Sequence, residues 1–146
     1  MTVHATAVAL RRTSGWRAVL LQGRPGSGKS DLALRLLARG GWRLVGDDQV
    51  HVWACEDALY TAPAERLAGI LEVRAVGLMS VPCLPQAQVA LVVQLDGAPE
   101  RLPEARLVEM LGIRVPTLVL DASSQSAADK LHQALAGRDA LSRLEP

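Results

Sequence analysis

Gly23-Arg24-Pro25-Gly26-Ser27-Gly28-Lys29-Ser30 is the stretch on which the reading of this chain turns. It satisfies the phosphate-binding loop pattern G-x-x-x-x-G-K-[ST] at every fixed position. The apolar run Ala18-Val19-Leu20-Leu21 enters it and a helical pattern leaves it, and that context separates a phosphate cradle from a chance match. Its glycines permit positive φ and close backbone approach, so successive N–H groups can converge on phosphate oxygens. Asp31–Arg39 predicts a helix whose N-terminal N–H groups and dipole favour the same negative charge. In such a loop Lys29 reaches the β- and γ-phosphates and the Ser30 hydroxyl serves Mg²⁺.

The rest of the composition narrows the class. A chain of 146 residues, 49% apolar, suits one domain (1–146) with a real core. A net charge of +1 gives no argument for a nucleic-acid or membrane partner. Lysine occurs only at Lys29 and Lys130, so a lysine inside the loop is hard to ascribe to composition. Cys55 and Cys83, with His4, His51 and His132, have no metal-ligand spacing. No signal-peptide pattern and no membrane-length apolar run is visible, so a soluble cytoplasmic protein is expected.

Along the chain, Val3–Leu10 and Trp16–Gln22 read as a hairpin. Asp31, Arg35 and Arg39 form one polar stripe on an otherwise Leu- and Ala-rich helix, which Gly40-Gly41 stops. Strands are predicted at Trp42–Val45, Val50–Trp53, Val89–Leu95 and Thr117–Leu120. Pro63 is expected to open a short helix through Leu67. Ile70–Arg74 and Gly77–Val81 fit either state. A capping-box pattern at Ser126-Ala127-Ala128-Asp129 starts a final helix to about Ala136. The expected fold class is α/β: a phosphate-loop (P-loop) kinase-like domain, with a central mixed β-sheet flanked by helices.

A nucleotide-using enzyme also needs carboxylates. Asp47-Asp48 ends a strand shortly after the loop helix, where strand ends open onto the binding crevice. One could serve Mg²⁺ while the other accepts a proton from a hydroxyl. Asp96 and Asp121 also follow apolar strands, but such endings are frequent in turns and read as such. Glu72 and Arg74 alternate with Leu71 and Val73, as the solvent face of a strand would.

Taken in order, these motifs resemble the catalytic domain of HPr kinase/phosphorylase. Ala38-Arg39-Gly40-Gly41-Trp42-Arg43-Leu44-Val45-Gly46-Asp47-Asp48 is similar to the family's R-G-x-R-L-V-A-D-D element, with one residue inserted. Leu71-Glu72-Val73-Arg74-Ala75-Val76-Gly77 is similar to its L-E-I-R-G-L-G signature, without the glycine after arginine. The resemblance implies an ATP- and Mg²⁺-dependent protein-serine kinase acting on HPr, the phosphocarrier of the phosphotransferase system. The nucleotide would be held by Gly23, Arg24, Pro25, Gly26, Ser27, Gly28, Lys29 and Ser30, and Mg²⁺ by Ser30 and Glu72. Catalytic roles would fall to Asp47 and Asp48 as the source of the base, to His4 beside them, and to Lys29 and Arg74. Arg101 is a candidate for the arginine that the family carries after its central strand.

The resemblance also implies a homo-oligomer. The family's N-terminal domain is expected to be absent, because only three residues precede His4. The family's V-P-V-R-P-G-R-N element has no clear match, which weighs against the reverse, phosphorylase reaction more than against the kinase reaction. Two other readings fit the loop alone. One is a small-molecule P-loop kinase, and the other is a nucleotide-binding regulatory module with little turnover.

Overall fold

A computed structural model of the chain describes residues 1–64 and 68–142, without the side chains of 138–142. They form eleven strands and two helices. In chain order the elements are β1 (Thr2–His4), β2 (Thr6–Arg12), β3 (Gly15–Gln22), α1 (Lys29–Leu37), β4 (Trp42–Gly46) and β5 (Gln49–Cys55). There follow β6 (Ala58–Pro63), β7 (Ile70–Val73), β8 (Gly77–Ser80), β9 (Ala87–Gln94), β10 (Arg106–Met110), β11 (Ile113–Val119) and α2 (Ala127–Ser142).

The centre of the sheet is a parallel trio. β9 runs parallel to β3, pairing Leu20 with Val92, and parallel to β11, pairing Leu118 with Val93. The carboxyl ends of these three strands therefore share one edge, where crevices of α/β sheets lie. From this trio the order continues to β2 and β4 on one side and to β6, β5 and β1 on the other. β1 and β2 are consecutive in sequence, yet β1 ends that order and β2 stands next to its other end, so the sheet curls.

That curl corrects the expected first strand. Val3–Leu10 is not one strand but two, interrupted at Ala5. The first part pairs with β5, His4 opposite Gln49. The second pairs with β3, as the predicted hairpin requires, and with β4. Period-2 alternation explains why both faces are apolar. Val8, Leu10, Val19 and Leu21 face the helices with Leu32, Leu36, Leu131 and Leu135. Ala7, Ala9, Ala18 and Leu20 face the curled arm with Val50, Val52 and Leu59. Both helices pack on the first face, so they flank the sheet on one side only.

The polar stripe of α1 is tied down. Arg35 pairs with Asp31 at 3.3 Å and donates to the Ser124 and Ala122 carbonyls, while Arg39 pairs with Asp129 at the start of α2. β7 and β8 form a separate two-stranded sheet. Pro63 closes β6 rather than opening a helix, Ala64 forms a bend, and the last three residues of that expected helix, 65–67, lie outside the described residues. α2 passes the expected end at Ala136.

The turn between β7 and β8 carries Ala75 at φ 68°, in the left-handed region. An alanine Cβ makes that conformation unfavourable by roughly 1–2 kcal/mol. Ala75 is exposed, so Ala75→Gly removes strain without losing burial. It is expected to stabilise the fold by about 1 kcal/mol and to raise Tm by about 2–4 °C in a thermal melt.

Candidate active site

The phosphate loop occupies the shared carboxyl edge, between β3 and α1. Gly28 caps α1 at φ 97° and ψ 18°, a conformation that glycine reaches without strain. A Cβ there would also stand 2.8 Å from Ala122 Cβ, so the loop after β11 closes against the helix start. Gly23 is required for space: a Cβ would collide with the Ser27 hydroxyl and lie 2.9 Å from Ser27 Cβ. With Gly28 at the cap, the N–H groups of residues 28–31 have no partner inside the helix and open onto the loop.

Two contacts hold the loop in shape. Lys29 is buried to 7% exposure, and its Nζ donates to the carbonyls of Gly23 at 2.7 Å and Arg24 at 3.2 Å. Asp96, two residues past the end of β9, accepts the Arg24 backbone N–H with both carboxylate oxygens, at 3.1 and 2.9 Å. The Arg24 guanidinium lies 3.5 Å from the same carboxylate. Sequence reasoning passed over Asp96 because an aspartate after a strand is common. The usable signal was β9 itself, the apolar strand that pairs with the loop's own strand. Asp121 instead closes its own turn: the Ser123 hydroxyl and N–H hold its carboxyl below the ordinary carboxylate range.

The paired aspartates sit where the chain passes from β4 to β5, facing the break between β1 and β2. Asp47 Oδ1 accepts hydrogen bonds from Ser30 Oγ and from Thr6 Oγ1, both at 2.8 Å. Asp48 takes a left-handed backbone, φ 69°, which aspartate tolerates better than most residues. Its Oδ1 lies 3.4 Å from His4 Nε2. The two carboxylates are thus in different surroundings. Asp47 is half-buried under the loop serine, while Asp48 is exposed.

A cleft of about 470 Å³ collects most of the expected residues. Its lining comes from the loop and helix start (Pro25, Gly26, Gly28, Lys29 and Ser30), from Asp48, and from Glu72, Val73 and Arg74 at the end of β7. Leu71 is fully buried and Glu72 exposed, so strand alternation turns Glu72 out of the core and into the cleft. Arg101 is not brought in: it is exposed in the segment between β9 and β10 and does not line the cleft.

The residues fit a magnesium nucleotide. With Gly28 at the cap of α1, the N–H groups of the helix start have no partner inside the helix and are open to phosphate. Ser30 gives its one hydroxyl proton to Asp47, which leaves its lone pairs free to face a cation. Among the described residues no group of three or more His, Cys, Asp or Glu could hold a metal by itself. Mg²⁺ commonly uses one or two protein oxygens, with phosphates and waters completing its shell. No helix among the described residues is long and apolar enough to cross a membrane.

A strand, phosphate loop and helix on a mixed sheet, with carboxylates and an arginine gathered around the loop, define the class as phosphate-loop kinase-like. Comparison with known proteins agrees. A family model described as HPr Serine kinase C-terminal domain matches residues 3–128. HPr kinase/phosphorylase of Streptococcus uberis is 39% identical over 114 residues, covering 68% of this chain and 36% of that protein. That of Streptococcus salivarius is 38% identical over 112 residues, covering 67% and 36%. The chain therefore spans little more than a third of the length of these curated relatives. The structure of the Hpr(Ser) kinase/phosphatase from Coxiella burnetii aligns with a TM-score of 0.78 over 98% of this chain and 92% of that one. At 24% identity that likeness establishes the shared fold. The chain belongs to the HPr serine kinase C-terminal domain family.

Proposed function

We propose that this chain is a protein-serine kinase that transfers the γ-phosphoryl group of ATP to an HPr-type phosphocarrier. The observation that carries the reading is the convergence of Lys29, Ser30, Asp48, Glu72 and Arg74 on one cleft, in a chain of this family.

Phosphoryl transfer needs positioning and charge stabilisation more than covalent chemistry. The loop N–H groups and the start of α1 bind the nucleotide phosphates, and Lys29 places a positive charge at the loop. Ser30 and Glu72 would hold Mg²⁺, whose chemistry when bound is to neutralise charge on the phosphate oxygens. Asp47 orients Ser30 by accepting a hydrogen bond from its hydroxyl. Asp48 is the base. The acceptor serine gives its proton to Asp48 as its oxygen bonds to the γ-phosphorus, and ADP departs with the broken bond. His4 steadies the Asp48 carboxylate, and Arg74 stabilises charge on the transferring group.

Incubation with labelled ATP, Mg²⁺ and HPr tests the reading. Label on HPr is expected. Turnover confined to metabolites would indicate a small-molecule kinase, and tight ATP binding without any ADP production would indicate a regulatory module.

A further inference from the structure

We infer that Thr6 is a positioning residue that sets the different roles of Asp47 and Asp48; the inference rests on the function proposed above. Thr6 lies in β2, on the far side of the strand break from His4, and is fully buried. Its neighbours Ala5 and Ala7 are fully buried alanines of the apolar core. A hydroxyl in such surroundings needs partners. Thr6 finds both in the aspartate pair. Its proton goes to Asp47 Oδ1 at 2.8 Å, and its oxygen stands 3.4 Å from the Asp48 backbone nitrogen, which donates to it.

One buried hydroxyl therefore touches the side chain of one aspartate and the backbone of the other. The consequences differ. On Asp47, the Thr6 bond joins the Ser30 bond on the same oxygen, so Oδ1 is engaged from two sides and the Ser30 hydroxyl is aimed. On Asp48, the contact anchors the left-handed residue at its backbone and leaves the carboxylate to the cleft. Thr6 is fully buried and does not line the cleft, so it acts through its partners.

Thr6→Val keeps the shape and removes the hydroxyl, whereas Thr6→Ser keeps the hydroxyl and removes a methyl. The decisive readout is ADP affinity by calorimetry, with and without Mg²⁺, supplemented by kcat and KM for ATP with HPr as acceptor. In Thr6→Val the Mg²⁺-dependent gain in ADP affinity should fall by roughly ten-fold, as expected for a lost hydrogen bond to a charged group, while Mg²⁺-free affinity stays within about two-fold. Its kcat should fall by roughly ten- to hundred-fold with KM for ATP little changed. Thr6→Ser should restore both quantities to within a few-fold of the parent.

An unchanged Mg²⁺ effect in a folded Thr6→Val protein overturns the inference, as do equal losses in the Val and Ser variants. Failure of the parent protein to label HPr would instead overturn the proposed function. The ADP titrations would still decide the role of Thr6 in that case. A parent protein that binds no ADP overturns both.

Discussion

Lys29→Met lowers phosphoryl transfer by about 10²–10³-fold, the range seen when one charge-stabilising donor is removed from a transfer site. The expectation rests on placement. Lys29 is one of very few buried charged or polar side chains among the described residues, and it is held at the first turn of α1 by the Gly23 and Arg24 carbonyls. Its charge sits at the phosphate cradle, where the low local dielectric makes it count for more than a surface lysine would. Methionine preserves most of the buried stem, so the helix packing of Leu32, Ala33 and Leu36 should survive. The two loop carbonyls lose their donor, and a modest drop in Tm should accompany the loss of activity. Single-turnover rates with saturating ATP separate this from weakened binding. A Lys29→Met protein that folds and transfers phosphate within a few-fold of the parent would contradict the role given to the loop.

The second large effect concerns the base. Asp48→Asn should lower kcat by about 10²–10⁴-fold, the usual contribution of a positioned acid or base, with ADP affinity nearly unchanged. Asparagine is the informative replacement because it also tolerates the left-handed backbone at φ 69°. Alanine would add strain to the chemical loss. Asp47→Asn provides the contrast. Its amide oxygen can still accept from Ser30 and Thr6, so catalysis should suffer less than in Asp48→Asn. A larger loss of kcat in Asp47→Asn would reverse the assignment and make the half-buried aspartate the base.

These two residues also mark what the sequence made legible. The loop was readable because its requirements are local and contiguous. A lysine and serine at fixed places after glycines, between an apolar run and a helix, leave few alternatives. The pairing of Asp47-Asp48 with the loop, and of Glu72 and Arg74 with both, was suggested by order along the chain. The cleft now gathers Lys29, Ser30, Asp48, Glu72 and Arg74; Asp47 and His4 do not line it but contact Ser30 and Asp48, and Arg101 is not brought in.

Long-range pairing explains the remainder. Nothing in Val3–Leu10 announces a break, because Ala5 continues the apolar–polar alternation of Val3-His4-Ala5-Thr6-Ala7. Only the competition between β5 and β3 for the two ends divides it. The functional weight of Thr6 was hidden for the same reason, since its partners lie 41 and 42 residues away. β6 and β10 escaped notice because neither carries a run of β-branched residues. β6 gains its place from cross-strand pairing with β5, and β10 from pairing with β11. The choice between Asp47 and Asp48 was likewise beyond the sequence: adjacent identical residues differ only in what the fold sets beside them.

The central claim is that the cleft passes phosphate from ATP to a serine of a phosphocarrier. The direct measurement is intact-mass analysis of HPr, and of HPr with its target serine changed to alanine, after incubation with the chain, ATP and Mg²⁺. The account predicts the mass of one added phosphate on the first protein and none on the second. An unmodified HPr in the presence of folded, ADP-binding protein would contradict it.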